Sequence, residues 1–482
     1  MLFVAPLWLS VLIPILVAPI PVGASLVIRQ RRAPAFEIAC LAAAGLAIAV
    51  VLGGSLFAVI VTVFLLFTHR VALSIAANVD ASSPATSSTR SHARVMLTMA
   101  VIAQVGLVAA MARVAVADGP LSRISGRLVP FGLSLFACHG MSYLVDVYRR
   151  RVAPERGRIQ LSVYLILLPQ VVAGPVSIEA VKPQQLAGRL PSVSDYSFGV
   201  RRLVIGVWKV FVMAALATAQ TDAAFAVRPE RLGPLDAWVG LASFTLQMYY
   251  AFSGYADMAV GLGRMFGIRL PENFRWPLVA ESVREFWRRW HIGLSGWFRE
   301  YAAGASEPDR AWLPSIAAEA LIVLLCGVWY GVGRTFVVWG LYHAVLVAAE
   351  RAGFEAVVKR APVLLRHVYL VLAVSLGWLL LRSATLEDAW MFFRALIGAN
   401  APVSPARLTY GYDVWLFLAA GAVGCAPLSP MVRRWTVAID ALIVSGLMAV
   451  LASVLFAWRG VRMVTDPVIG LWRGSPKVTG RP

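Results

Sequence analysis

Long apolar blocks dominate this chain, and they constrain its fold more than any other feature. The blocks near 94–117, 201–225 and 364–382 each reach about the 20 residues that a helix needs to cross a bilayer. Charged residues make up only 14% of the chain, whereas soluble domains carry about a quarter. Because backbone groups in lipid must hydrogen-bond within the protein, these unbroken blocks predict membrane-spanning helices.

A search with a window of bilayer length predicts an all-α polytopic integral membrane protein with about 11–13 transmembrane helices. The expected spans lie near 2–28, 36–52, 54–68, 94–117, 128–147, 160–175, 201–225, 236–262, 313–330, 333–349, 364–382, 411–428 and 438–458. No long linker or internal repeat separates them, so we expect a single integral membrane domain over residues 1–472. Residues 473–482 contain Gly, Pro and charge without an apolar run, and they are expected to be disordered.

The basic residues collect in short segments between the apolar blocks, for example at Arg149–Arg151 and Arg433–Arg434. This pattern indicates positive-inside topology and contact with anionic membrane lipids. The formal net charge is +19, which in a soluble protein would favour nucleic acid as a partner. No groove-reading module interrupts the apolar blocks, so we expect no nucleic-acid binding.

One stretch, Pro271 to Arg310, is too charged to span the membrane and yet rich in aromatic residues. Such a segment is expected to lie in the membrane interface or to line a cavity at membrane depth. If Glu285 to Tyr301 form one helix, its tryptophans share a face with His291 at the edge, and Arg288 and Arg299 share a neighbouring face. Burial and nearby cations would then lower the pKa of His291 and favour the neutral base. The alternative is a core histidine bonded to a carbonyl.

His343 is the second candidate for chemistry. It lies within an apolar helix expected over Thr335–Ala349. An ionisable residue at membrane depth is costly, so its presence indicates a cavity or a partner. A hydrogen-bonded packing histidine is the alternative interpretation.

Four motifs occur in order between about Gly132 and Gly398. They are Ser142–Arg149, Pro169–Pro175, the run from Phe252–Met258 through Gly261–Gly267 to Pro271–Phe274, and Phe286–Ile292 with Trp297–Tyr301. Together they resemble the membrane-bound O-acyltransferase family, in particular its alginate O-acetylases. The resemblance implies a multi-helix fold around a transmembrane tunnel in a bacterial inner membrane.

The resemblance also implies an activity and partners. A short acyl group, most simply acetyl, would pass from a cytoplasmic donor to hydroxyls of an exported polysaccharide. A periplasmic acyltransferase or polysaccharide-export partner could receive it instead. The donor would be acetyl-CoA or another acyl thioester, and no bound cofactor or metal is expected. Arg288, Arg289 and Arg299 are candidates for the donor phosphates, with lipid headgroup contact as their alternative role.

The chain departs from the family pattern at one position. The family has a Gly-x-Trp-His-Gly motif whose histidine is the expected catalytic base, and here Tyr330 takes that place in Gly327–Gly331. A tyrosine, with a pKa of about 10, is a poor base near neutral pH, although it can hydrogen-bond an oxyanion. His343 is 13 residues further on, about 220° around and about 20 Å along a continuous helix. It reaches Tyr330 only if the helix breaks, as Gly331 and Gly333 allow.

Three hypotheses therefore remain open. His291 is the base and Tyr330 assists, or a rearranged helix brings in His343, or the chain keeps the fold and has lost the chemistry. In the last case the protein is a scaffold or export component of a polysaccharide system. A transporter is a weaker rival, because transporters often have repeated halves and this chain shows no internal repeat.

Overall fold

The computed structural model describes residues 58–79, 87–116, 133–166, 191–302, 315–331, 333–400 and 410–427. The α-helices within these ranges are α1 (Ala58–Val79), α2 (Ser87–Val116), α3 (Leu133–Tyr148), α4 (Arg158–Ile166), α5 (Val193–Trp208), α6 (Ala215–Ala226), α7 (Pro234–Met265), α8 (Val283–Arg289), α9 (Ile292–Trp297), α10 (Ser315–Tyr330), α11 (Arg334–Ala349), α12 (Glu355–Arg360), α13 (Val363–Arg382), α14 (Leu386–Leu396) and α15 (Tyr412–Gly424). These ranges contain no β-strand, which confirms the all-α class.

Four helical segments in the described part of the chain are long and apolar enough to cross a membrane. They are Ala58–Val79, Thr89–Met111, Val193–Ala226 and Val363–Arg382. Two shorter apolar helices cover Ile316–Tyr330 and Tyr412–Gly424. The protein is thus a multi-pass membrane protein, while the count of 11–13 helices stays a prediction. The expected spans at 2–28, 36–52 and 438–458, and the tail 473–482, lie outside the described residues.

The described residues group into two compact units. The first falls within Met1–Leu203 and Met258–Pro271. In it α1 and α3 pack closely, because a Cβ added at Gly140 would lie 2.6 Å from the Phe64 ring. The motif Ser142–Arg149 closes α3, where the hydroxyl of Tyr143 accepts a hydrogen bond from the Glu155 N–H at 2.8 Å. The expectation of one domain over 1–472 stays a prediction.

The second unit falls within Val204–Asp257 and Glu272–Pro482. Its centre is the pair α10 and α11, which pack so closely that a Cβ at Gly327 would lie 2.8 Å from the Cα of Gly340. Helix α10 ends at Tyr330 and α11 begins at Arg334. The helix break that the glycines allow therefore occurs, and it turns α11 back along α10.

A π-helical segment at Lys209–Ala214 joins α5 to α6. The ammonium of Lys209 lies 2.7 Å from the buried carboxylate of Asp257 on α7. A lone charge inside such an apolar bundle is costly, so each residue compensates for the other. Gly254, one turn before Asp257, provides the room, since a Cβ there would lie 2.9 Å from the Cβ of Lys209.

Helix α14 was not among the predicted spans, because it is amphipathic rather than continuously apolar. Its N-terminus has a capping box in which Thr385 and Asp388 exchange hydrogen bonds. Such a box satisfies donors that the first turn leaves free. Its apolar face is buried against α7 and α13 in a core cluster that contains Leu241, Leu379 and Phe392.

Candidate active site

The N-terminus of α8 is held by a buried carboxyl group from another part of the chain. Glu350 is 1% exposed and accepts the backbone N–H groups of Val283 and Arg284, each at 2.8 Å. It also accepts the hydroxyl of Tyr369 at 2.9 Å. These donors have no partner inside the helix, and a negative charge at a helix N-terminus is stabilising. Glu350 therefore fixes the position of α8, which leads to His291.

The prediction of one helix from Glu285 to Tyr301 is wrong. Helix α8 ends at Arg289, Trp290 is extended, and His291 has φ 49° and ψ 49° in the left-handed region. The reason is Asn273, whose carbonyl accepts the Ile292 N–H at 3.0 Å and whose Oδ1 accepts the Gly293 N–H at 2.8 Å. Asn273 thus caps α9 in place of the turn that a continuous helix would supply.

A left-handed conformation is strained for a residue with a Cβ and costs on the order of 1 kcal/mol or more. Such strain persists where surrounding contacts determine the conformation, and it is found often at functional sites. Here the two bonds from Asn273 and the cap from Glu350 hold both sides of His291. The turn points the imidazole into the protein rather than along the edge of an aromatic helix face.

Five aromatic rings surround His291. Their centroids lie 5.2–6.5 Å from that of the imidazole, and they belong to Phe252, Phe274, Trp290, Trp329 and Tyr330. His291 is 4% exposed. Neither ring nitrogen has a hydrogen-bond partner among the residues that the structure describes. The expectation of a bond to a carbonyl finds no support in this part of the chain.

Burial lowers the pKa of His291 from its ordinary value near 6.5. Removing an imidazolium from water without a counter-charge disfavours the charged form. Arg288 and Arg299, the cations expected to contribute, are exposed, so burial is the cause of the lowered pKa. The ring is therefore neutral at physiological pH, and one of its nitrogens carries a free lone pair.

Tyr330 lies beside His291, with the two ring centroids 6.2 Å apart. Its hydroxyl oxygen accepts the indole N–H of Trp290 at 3.3 Å. This bond uses one lone pair of the oxygen and leaves the O–H proton available as a donor. The structure therefore brings together the first predicted base, His291, and the residue that stands in place of the family's histidine.

His343 belongs to a neighbouring cluster of rings. It is fully buried, and the centroids of Trp287, Trp339 and Tyr342 lie 5.6, 4.9 and 5.1 Å from that of the imidazole. Trp339 is a neighbour of both His343 and Tyr330, and the Tyr330 and Trp339 ring centroids are 5.4 Å apart. The helix break therefore brings His343 near Tyr330, yet not into the group of rings around His291.

The three predicted donor-binding arginines differ in their surroundings. Arg289 forms an ion pair with Glu285 one turn earlier, so part of its charge is already compensated. Arg288 and Arg299 are exposed, and no ion pair involves either of them within the described ranges. Exposed guanidinium groups of this kind suit phosphate or lipid headgroups.

Several residues that build the site are not evident as site residues from the sequence. Phe252 and Phe274 line the imidazole, and both stand in motifs that the sequence shares with the family. Asn273 stands next to Phe274, and its capping role shows only in three dimensions. Glu350 follows an apolar helix as an isolated acidic residue, and nothing in the local sequence indicates that it caps α8.

The region that contains the candidate site is similar in sequence to known proteins. Residues 159–378 match the model of MBOAT, the membrane-bound O-acyltransferase family. The chain is 35% identical over 271 residues to "Probable alginate O-acetylase AlgI" of Azotobacter vinelandii, covering 56% of this chain and 54% of that protein. It is 29% identical over 304 residues to a peptidoglycan O-acetyltransferase of Helicobacter pylori, covering 57% and 58%.

A more distant match is a teichoic acid D-alanyltransferase of Bacillus subtilis, 26% identical over 228 residues that cover 45% of this chain and 57% of that protein. The chain thus spans little more than half the length of the curated relatives it matches. The matched region contains His291, Tyr330 and His343 together with the helices that carry them. Residues 159–378 of this multi-pass membrane protein are therefore similar in sequence to the membrane-bound O-acyltransferase family.

Proposed function

We propose that this protein is an O-acyltransferase of a bacterial inner membrane. It transfers a short acyl group, most simply acetyl, from a cytoplasmic acyl thioester to hydroxyls of an exported polysaccharide or to a periplasmic partner. The observation that carries the proposal is a buried, neutral His291 beside Tyr330, whose two ring nitrogens have no hydrogen-bond partner among the described residues. Relatives named for alginate, peptidoglycan and teichoic acid support an acceptor in the cell envelope.

The proposed step is a direct acyl transfer. A ring nitrogen of His291 takes the proton from the acceptor hydroxyl as its oxygen attacks the thioester carbonyl carbon. The carbonyl oxygen becomes an oxyanion, which the Tyr330 hydroxyl stabilises with a hydrogen bond. The carbon–sulfur bond then breaks, and the sulfur leaves with the proton that His291 carries. The products are an ester and a free thiol, and His291 returns to its neutral form.

Positively charged side chains outside the five aromatic rings around His291 would position the acyl donor. In this proposal the exposed guanidinium groups of Arg288 and Arg299 attract the phosphates of acetyl-CoA or of a carrier-bound acyl group. Arg289 contributes less, because Glu285 already pairs with it. The scaffold remains the second candidate, since Tyr330 stands where the family's base is expected.

Tyr330→Phe is expected to lower the turnover number about 10²-fold, the loss typical of one oxyanion donor. The phenyl ring keeps the contacts with Phe252 and Trp339, so the protein should fold. The measurement is thiol release from acetyl-CoA by the purified protein in detergent. Tyr342→Phe is the matched control, because its hydroxyl bonds to the carbonyl of Ala373. Equal rates for wild type and Tyr330→Phe would show that the Tyr330 hydroxyl does not stabilise the oxyanion.

The rate of the His291-dependent step should be nearly independent of pH between about 5.5 and 8. An imidazole with its ordinary pKa of 6.5 would be mostly protonated at the acid end, and activity would fall about tenfold. Burial lowers the pKa of His291, so the neutral base persists throughout this range. The check is kcat against pH with saturating donor. A tenfold acid loss centred near pH 6.5 would contradict a buried neutral base.

Complementation tests the function as a whole. A deletion strain would receive the wild type, His291→Ala, His343→Ala or Tyr330→His, with membrane levels of each protein checked. Ester-linked acetyl groups on the exported polysaccharide would then be measured. Restoration by the wild type and not by His291→Ala is the expected result. If the wild type restores no acetyl groups and Tyr330→His does, the scaffold interpretation is correct.

A further inference from the structure

The rings around His343 carry polar atoms that the proposed reaction does not use. His343 is fully buried, and both of its ring nitrogens lack a hydrogen-bond partner among the described residues. Within the same ranges the indole N–H groups of Trp287 and Trp339 also lack one. The three rings are mutual neighbours, with centroids 4.9–5.7 Å apart.

Burying these atoms without partners is costly. Each unsatisfied buried donor or acceptor costs about 1–3 kcal/mol, and native proteins leave few of them. The cluster holds two indole donors and an imidazole that offers one further donor and one acceptor. The imidazole itself fits because residue 377 is a glycine, since a Cβ at that position would clash with the His343 ring. A group with two acceptor lone pairs and one donor would satisfy three of these four atoms at once.

We propose that His343, Trp287 and Trp339 form a binding site for a secondary amide in the pantetheine arm of the acyl donor. An amide oxygen accepts two hydrogen bonds, and its N–H donates one to an imidazole nitrogen. This inference rests on the proposed function, because it concerns how the same reaction selects its donor. His343 then acts in donor recognition, while His291 carries the chemistry.

The surroundings favour a neutral amide over other ligands. The other rings in contact with His343 belong to Tyr342 and Trp378, so its ring neighbours among the described residues are all uncharged. A charged group there would be desolvated without a counter-ion. A purely apolar group would leave the indole and imidazole atoms unsatisfied. The neutral amide fits both requirements, and aromatic faces suit the methylene groups on either side of it.

The site also lies at a suitable distance from the reaction. Trp339, which belongs to the amide site, also contacts the ring of Tyr330, the proposed oxyanion donor. In a pantetheine thioester, two methylene groups separate the sulfur from the first amide nitrogen. An acyl carbon near Tyr330 would thus place that amide within reach of the cluster. Coenzyme A and acyl carrier proteins share this arm, so the site serves either source.

The test compares two small donors that differ only in the amide. S-acetyl-N-acetylcysteamine contains it, and S-pentyl thioacetate replaces it with methylene groups. The ratio of their kcat/KM values is measured by thiol release for the wild type, His343→Leu, His343→Gln, Trp287→Phe and Tyr342→Phe. Partitioning of the pentyl compound into detergent is the same for every variant and cancels when the ratios are compared.

We expect the wild type to prefer the amide donor about 10- to 100-fold, the effect of leaving buried polar groups unpaired. His343→Leu and Trp287→Phe should reduce this preference towards unity, and His343→Gln should restore part of it. Tyr342→Phe should leave it unchanged, since that hydroxyl already bonds to Ala373. An undiminished preference in both His343→Leu and Trp287→Phe would overturn the proposal.

A binding measurement separates this inference from the proposed function. S-acetonyl-N-acetylcysteamine is a thioether that cannot transfer its acyl-like group, and its affinity can be measured by calorimetry. If the wild type transfers nothing, the acyltransferase proposal fails. Weaker binding by His343→Leu but not by Tyr342→Phe would still support the amide site, whereas equal binding by all three proteins would refute it. Comparing acetyl-CoA with an acetylated carrier protein then identifies the natural source.

Discussion

His291→Ala is expected to reduce acyl transfer about 10³-fold, within the range for loss of a general base. The imidazole is the base in the proposed step, and burial keeps it neutral. The substitution removes a side chain whose nitrogens bond to no described residue, so it breaks no hydrogen bond within the part of the chain that the structure describes. The measurement is thiol release by purified protein, together with acetylation of the exported polysaccharide in the complemented strain.

His367→Ala is the matched control for this variant. The Nδ1 of His367 lies 3.0 Å from the carbonyl of Ala280, so it is a histidine with a satisfied structural role outside the aromatic wall. It should retain most of the transfer activity. A His291→Ala protein with more than about a third of wild-type turnover would contradict the assignment, because a lost general base costs at least about 10²-fold. His343 or an acceptor-borne base would then have to be considered.

The sequence predicts the fold class well because the mean hydropathy is averaged over a window as long as a whole spanning helix. Spanning helices such as α13 emerge within a few residues of the predicted bounds, 364–382 against Val363–Arg382. Window-averaged hydropathy does not detect α14, because the apolar residues of this helix occupy a single face. A window that averages around the helix cancels that face against Glu387, Asp388 and Arg394. Tertiary packing on α7 and α13 stabilises the helix instead.

The candidate site is predictable in its residues and less so in its geometry. The sequence identifies His291, Tyr330 and the glycines that break the helix after α10. It does not predict the left-handed turn at His291, because Asn273 causes that turn from 18 positions earlier in the chain. A helical projection of residues 285–301 leaves out contacts with residues elsewhere in the chain, such as the hydrogen bonds that Asn273 accepts. Because the helix is interrupted at His291, Arg288 and Arg299 do not share the helix face that this projection predicts.

Glu350 is a second residue whose role depends on a contact with a distant part of the chain, which the local sequence does not show. Its substitution is expected to have a large effect on stability. Glu350→Ala should lower the free energy of unfolding by about 3–5 kcal/mol. The substitution leaves two backbone N–H groups at the start of α8 and the Tyr369 hydroxyl without an acceptor. Each is buried or partly buried, so water replaces the lost bonds poorly. Thermal unfolding of the purified protein in detergent measures the change.

Glu355→Gln provides the comparison for that measurement. Glu355 is a carboxylate near the same end of α8, where it pairs with Arg284 at 2.6 Å and with Lys359 at 2.7 Å. It is 20% exposed, so water and salt screen its ion pairs, which contribute about 1 kcal/mol or less.

The loss in free energy of unfolding for Glu350→Gln should lie between the losses for Glu350→Ala and Glu355→Gln. One side-chain oxygen of the glutamine still accepts a hydrogen bond, while its new amide donor faces backbone N–H groups. Equal unfolding temperatures for Glu350→Ala and Glu355→Gln would show that α8 does not depend on its buried cap. A large difference would establish that the helix leading to His291 is positioned by a residue 59 positions beyond it.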